Sequence, residues 1–96
     1  MRTIDRASSF KRDYKRETKG QYRSLLDAIL IPVVSALAND QPLQPQQRDH
    51  DLSGDWKGYR ECHIKPDLLL ICRKHGTIDG GVLRLARLGS HSELFG

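Results

Sequence analysis

Cysteine is scarce in this chain. There are two, Cys62 and Cys72, and no Cys-x-x-Cys pair. That excludes a disulfide framework, and no Cys–His ligand pattern supports structural zinc. Long apolar runs are also missing. The longest, residues 28–38, is interrupted by Pro32 and Ser35 and is too short to span a bilayer, so no membrane partner is expected. The first fourteen residues are polar and charged, so no secretory signal is expected and a reducing cytoplasm is the expected location. No repeat, low-complexity tract or linker divides the 96 residues, which read as a single domain, 1–96.

What is present is enough for a small core. Hydrophobic residues make up 38% and charged residues 29%, too apolar a mixture for a disordered chain. Lys plus Arg number 16 against 12 Asp plus Glu, and the resulting +4 suits an anionic partner.

The pattern changes period midway. Residues 2–6 read as a short edge strand. Ser8 or Ser9 is placed to cap a first helix that Gly20 stops. Phe10 and Tyr14, four apart, would face the core, while Lys11, Arg12, Lys15 and Arg16 make the remainder basic. Ser24 and Asp27 have capping-box spacing for a second helix reaching about residue 39, with Leu26, Ile29, Leu30, Val33, Val34 and Leu37 on its apolar face and a kink expected at Pro32. Residues 39–52, with two Pro and four Gln, read as an ordered loop without regular structure. Strands are then expected over 59–64, 68–73 and 82–88, with a Pro66-Asp67 turn between the first two. Ser90 and Glu93 form a second capping box, so a last helical turn should reach Phe95. The expected class is α+β: two N-terminal helices on an antiparallel sheet, with a short C-terminal helical turn.

All four histidines, His50, His63, His75 and His91, lie in the second half near loops or strand ends. Imidazole titrates near pH 6.5 and can give or take a proton at cellular pH. Metal-free RNA cleavage needs a base for the 2′-hydroxyl, an acid for the 5′-oxygen and a cation for the phosphate. His50, His63 and His91 are candidates for the first two roles, Arg60, Arg84 and Arg87 for the third. Asp67, at the turn after His63, is placed to orient an imidazole, and His75 reads as a surface residue. Alternation puts Tyr59, Glu61 and His63 on one strand face. A simple turn at Pro66 would set Glu61 opposite Cys72 and Cys62 opposite Ile71. The two thiols would then point to opposite sides as small buried hydrophobes. Arg84 and Arg87 would also fall on opposite faces, so both serve one site only if a bulge intervenes. A His63-x-x-x-Asp67 metal pair is set in a turn by Pro66. Trp56 and Tyr59 fit either base stacking or the core.

Two stretches carry a resemblance. Asp49-His50-x-Leu52-x-Gly54-x-Trp56-Lys57-Gly58-Tyr59-Arg60-x-x-His63-x-x-Pro66-Asp67 and Arg87-x-Gly89-x-His91-x-x-Leu94-Phe95 resemble the YafQ branch of the RelE/ParE toxin superfamily. The resemblance is specific from about residue 41 onward and matches the helical half only in element order. It implies a RelE-like fold and the toxin half of a type II toxin–antitoxin pair, an endoribonuclease (mRNA interferase) cutting message in the ribosomal A site without cofactor or metal. The family's catalytic set falls on His50, His63, Asp67, His91 and Phe95, with Arg87 at a contributing basic position and Glu61 at an acidic one. Phe95 would stack on a codon base. The remaining RNA contacts would come from Arg60, Arg84, Lys57 and Trp56, and Lys11, Arg12, Lys15 and Arg16 would meet rRNA phosphates. Two positions depart from the pattern: Glu61 where a relative has Asp, and Leu68 where a relative has Trp. Implied partners are a DinJ/RelB-like antitoxin, in a heterotetramer that binds operator DNA through the antitoxin, together with the 70S ribosome, its rRNA and mRNA. A ParE-like inhibitor of DNA gyrase and a non-catalytic RNA-binding module are the competing readings.

Overall fold

The computed structural model describes all residues, 1–96. The order is β1 (Thr3–Arg6), α1 (Ser8–Glu17), α2 (Leu26–Ala38), a 3₁₀ turn (Pro45–Gln47), β2 (His50–Asp51), a second 3₁₀ turn (Gly54–Trp56), β3 (Arg60–Lys65), β4 (Leu68–His75), β5 (Val82–Gly89) and α3 (His91–Phe95). One five-stranded sheet runs β1-β5-β4-β3-β2. The expected α+β class holds, with one amendment: β1 pairs parallel to β5, and only the other ladders are antiparallel. No helix is long and apolar enough to cross a membrane.

The sheet is covered on both faces, which explains the near-continuous apolar run of β4. Leu70 and Cys72 join α1 and α2 in the larger core with Leu30, Val33 and Leu37. Leu69 and Ile71 point the other way and meet Ala86 and Leu94, with Leu52, Trp56 and Tyr59 packed at the margin. A strand buried on both faces has no polar alternation to read.

The helix starts differ from the capping signals. Ser8 is already helical, Ala7 is the cap residue, and the Ser9 hydroxyl donates to the Ala86 carbonyl at 2.7 Å. At α2 the cap residue is Leu25, with no side-chain cap. Asp27 instead accepts a hydrogen bond from the Tyr14 hydroxyl and so ties α2 to α1. Tertiary bonds have claimed the side chains that local capping would use. The helix is unbroken through Pro32. Within the expected loop, residues 50–51 form a strand on Glu61 and Arg60.

Two bulges set the register. One lies between His63 and Lys65, so that Glu61 faces Ile71 and Cys62 faces Leu70, one position off a simple turn. Cys62 and Cys72 therefore lie on the same face, in the larger core, and both are free thiols. Burial raises both, Cys72 to about 11 and Cys62 further, so neither is a nucleophile at neutral pH. The second bulge makes Ala86 an extra residue, since Ile71 pairs with Arg87 but Cys72 pairs with Leu85. Arg84 and Arg87 consequently share a face.

Leu70 is fully buried between helices and sheet. Leu70→Ala should cost about 2–5 kcal/mol, seen as a lower urea midpoint with an unchanged m-value.

Candidate active site

Register brings three histidines to one corner. His50 of β2 pairs with Glu61 of β3, and alternation places His63 on the same face two residues on. The third comes from α3. Its capping box is intact: Ser90 Oγ accepts from the Glu93 amide at 3.2 Å, and Glu93 accepts from the Ser90 amide at 2.8 Å. Leu94 plugs the second core and holds this short helix on the sheet. His91 is thereby directed at His63, with ring centroids 5.5 Å apart, and Phe95 follows at 6.3 Å from His91.

Glu61 is the hub. Its side chain is 7% exposed, and its carboxylate lies 3.2 Å from His63 Nε2 and 3.9 Å from His50 Nε2. His50 Nδ1 lies 2.7 Å from the Arg48 carbonyl, which orients the ring from its other side. One ligand atom from each of Glu61, His63 and His91 lies within 4.8 Å of the others. This carboxylate with two imidazoles is a donor set suited to a first-row transition-metal ion, and Asp67 is not part of it. Phe95 is 44% exposed beside the cluster and free to stack.

Several expectations are revised. Asp67 is exposed at its turn and makes no hydrogen bond or ion pair; Glu61 is the carboxylate against the His63 imidazole. Glu61 itself is buried beside the His50 and His63 imidazoles. Trp56 packs edge-on against Tyr59 at 5.3 Å and against the second core, and is half-buried there. Arg60 is held by Asp49 and Asp51 at 2.9 and 2.7 Å. Arg84 pairs with Asp5 and lies farther along β5. Arg87 is in register with Ile71 and hence in the same cross-strand row as Glu61, two strands away, or about 10 Å. Lys11, Arg12, Lys15 and Lys57 are exposed and unpaired, but Arg16 is not free.

Sequence reasoning passed over Asp13, a buried acid of the otherwise basic α1. It is 3% exposed and accepts from Arg87 Nε at 2.6 Å, Arg16 at 3.0 Å and the Leu88 amide at 3.1 Å. β1 stops short of Arg87, so α1 covers that end of β5 and its acid reaches the strand. Arg16 continues to Glu93 at 3.1 Å and to the Leu88 carbonyl at 2.8 Å, linking α1, β5 and α3. Gly89 permits the convergence: a Cβ there would stand 2.7 Å from Arg16 and 3.0 Å from Glu93. The available signal was its position: Asp13 lies three residues after Phe10, on the helix side that packs inward.

The comparisons with known proteins agree. Residues 2–96 match the family model described as "Bacterial toxin of type II toxin-antitoxin system, YafQ". The chain belongs to the YafQ family of toxins. It is 33% identical over 95 residues to the "mRNA interferase toxin YafQ" of Escherichia coli K12, covering 97% of this chain and 99% of that one. The crystal structure of YafQ from E. coli BL21(DE3) superposes with a TM-score of 0.80 at 35% identity, both chains fully covered. E. coli YafQ bound to DinJ gives 0.79 at 36%, again with full coverage of both. A metal-bound toxin from Helicobacter pylori gives 0.78 at 42%, covering 99% of this chain and all of that one. The expected RelE-like toxin fold is thus established.

Burial alone would raise Asp13, but the Arg87 hydrogen bond, the Leu88 amide and the charges of Arg87 and Arg16 offset it and hold the carboxyl below its usual range. Glu93 is lowered first by the Ser90 amide. Depressed folded-state values mean that this stability is present above about pH 4 and lost as pH falls through the acid range. Asp13→Asn should lower the thermal midpoint at pH 7 and flatten its decline between about pH 4 and pH 2.

Proposed function

We propose that this toxin is a ribosome-dependent endoribonuclease that cuts mRNA in the A site by imidazole acid–base catalysis. The observation that carries this reading is the convergence of His50, His63 and His91 around one buried carboxylate beside an exposed aromatic. One imidazole takes the 2′-hydroxyl proton. The 2′-oxygen attacks phosphorus, the P–O5′ bond breaks, and a second imidazole protonates the departing 5′-oxygen. The products are a 2′,3′-cyclic phosphate, which hydrolysis opens to a 3′-phosphate, and a 5′-hydroxyl. His91 is the leading proton-transfer group, because its ring faces His63 from a separate element. Glu61 fixes the His63 ring and stabilises its cationic form while it holds a proton. Phe95 stacks on a codon base, Arg87 adds positive potential from two strands away, and Asp67 acts from the exposed turn after His63. A transition-metal ion across Glu61, His63 and His91 would occupy the nitrogens that the proton transfers use and would inhibit.

Unpaired cations on α1 dock the protein on rRNA, and Lys57 adds one beside the second core. The unpaired basic residues suit an acidic segment of a DinJ/RelB-like antitoxin, assembled as a heterotetramer whose antitoxin half binds operator DNA. Cytoplasmic action follows from a ribosomal target. A ParE-like gyrase inhibitor would have no use for this histidine set.

The test is incubation with translating 70S ribosomes and a defined message. Cleavage within the A-site codon with a cyclic-phosphate end is expected, and His91→Ala should reduce it by about 10²-fold or more. Cleavage retained in that variant, or replication arrest in place of translation arrest, would refute the reading. Reversing Lys11, Arg12 and Lys15 to Glu should weaken ribosome binding and flatten its salt dependence. An unchanged salt slope would remove these residues from the interface.

A further inference from the structure

Beside His63 lies a cleft of about 360 Å³, lined by Gln44, Gln46 and Gln47, by His63 and Lys65, and by the apolar Ile29 and Ile64. The volume is within the range of small-ligand sites. Three glutamines in four residues crowd one wall, and none belongs to the acid–base cluster just described.

The wall is rigid. Pro45 starts the 3₁₀ turn, the Gln44 amide donates to Gln47 Oε1 at 3.0 Å, and Gln46 Nε2 donates to Gln44 Oε1 at 2.5 Å. Those bonds consume some amide groups and leave others. Gln47 Nε2, Gln44 Nε2 and Gln46 Oε1 have no partner, so donors and an acceptor are fixed together at the cleft. Gln44 and Gln46 are exposed and Gln47 is half-buried. The opposite wall is β3 at its bulge, beyond the end of β2, where no strand pairs its outer edge. Lys65 is exposed there without an ion-pair partner.

Resting on the reading above, we propose that this cleft is a nucleobase-recognition subsite, in which the glutamine amides read a base flanking the scissile phosphate. Side-chain amides pair with base edges through one donor and one acceptor, which is how Asn and Gln discriminate bases. Single-stranded RNA exposes those edges. His63 forms both the wall of the cleft and part of the acid–base cluster, so a phosphate held by the imidazoles leaves the neighbouring nucleotide beside the glutamines. Lys65 meets the adjoining phosphate. Phe95 grips by stacking, which tolerates any base, and the amides then supply the preference.

The experiment is cleavage of a message carrying every base at the positions flanking the A-site cut, by wild type and two variants, read as the ratio of cuts at preferred and other bases. Gln46→Leu removes one amide. Gln47→Glu keeps the acceptor that holds the turn and replaces a donor with an acceptor. Each variant should change the ratio by at least about fivefold, the value of roughly 1 kcal/mol of lost discrimination. Loss of fold scales all cuts together and leaves the ratio intact. A wild-type preference that both variants retain, or a wild type with no base preference, would overturn the subsite while leaving the nuclease standing. A wild type that cuts nothing would overturn both.

Discussion

A carboxylate removed from water must be offset by hydrogen bonds or positive charge, and Glu61 is such a group, with 7% of its side chain exposed. The groups that offset it are imidazoles. Asp13, at the junction of α1 and β5, faces the same requirement and meets it with two guanidinium groups and a backbone amide. The contrast is functional. Arginine never releases its proton, so the Asp13 cluster is a permanent clamp. Histidine is the residue type that can exchange protons near neutral pH, which is why the Glu61 cluster, and not the Asp13 clamp, carries the proposed chemistry.

The two clusters are joined mechanically. Arg16 leaves the Asp13 clamp and reaches Glu93, whose other bonds close the capping box of α3. That helix has five residues and could not hold its position alone. Its place is set by Arg16 on one side, Leu94 beneath and the closely packed Gly89 at its root. His91 and Phe95 inherit their positions from these contacts. The same bonds tie Arg16 and Arg87 to Asp13 and leave Lys11, Arg12 and Lys15 as the unpaired positive charge on α1.

Much of this was legible from residues alone. The sequence pattern placed α1, α2 and every strand but β2, it passed over both 3₁₀ turns, and the final capping box located α3 because its partners are local. Errors arose wherever a long-range bond outbid a local one. Ser9 bonds to β5 rather than capping α1, and Asp27 bonds to Tyr14 rather than to its own helix start. Register was misjudged by one residue because a bulge after His63 has no composition signal, and that single step put Cys62 and Cys72 on one face. Asp67 looked like the orienting acid because it follows His63 in sequence. Glu61 is the actual partner because alternation and pairing bring it there. The fold brings His50, His63, His91 and Phe95 to one corner, and that convergence depends on β2, the β3 register and α3, which only the folded chain displays.

The most direct test of the central claim is a structure of the toxin on a ribosome whose message carries a 2′-O-methyl group at the cut, so that attack is blocked. The account predicts the 2′-oxygen and the 5′-oxygen of one phosphodiester each within hydrogen-bond reach of a different imidazole among His50, His63 and His91, with Glu61 still against His63. A phosphodiester bound away from those rings, or approached by one imidazole alone, would contradict it.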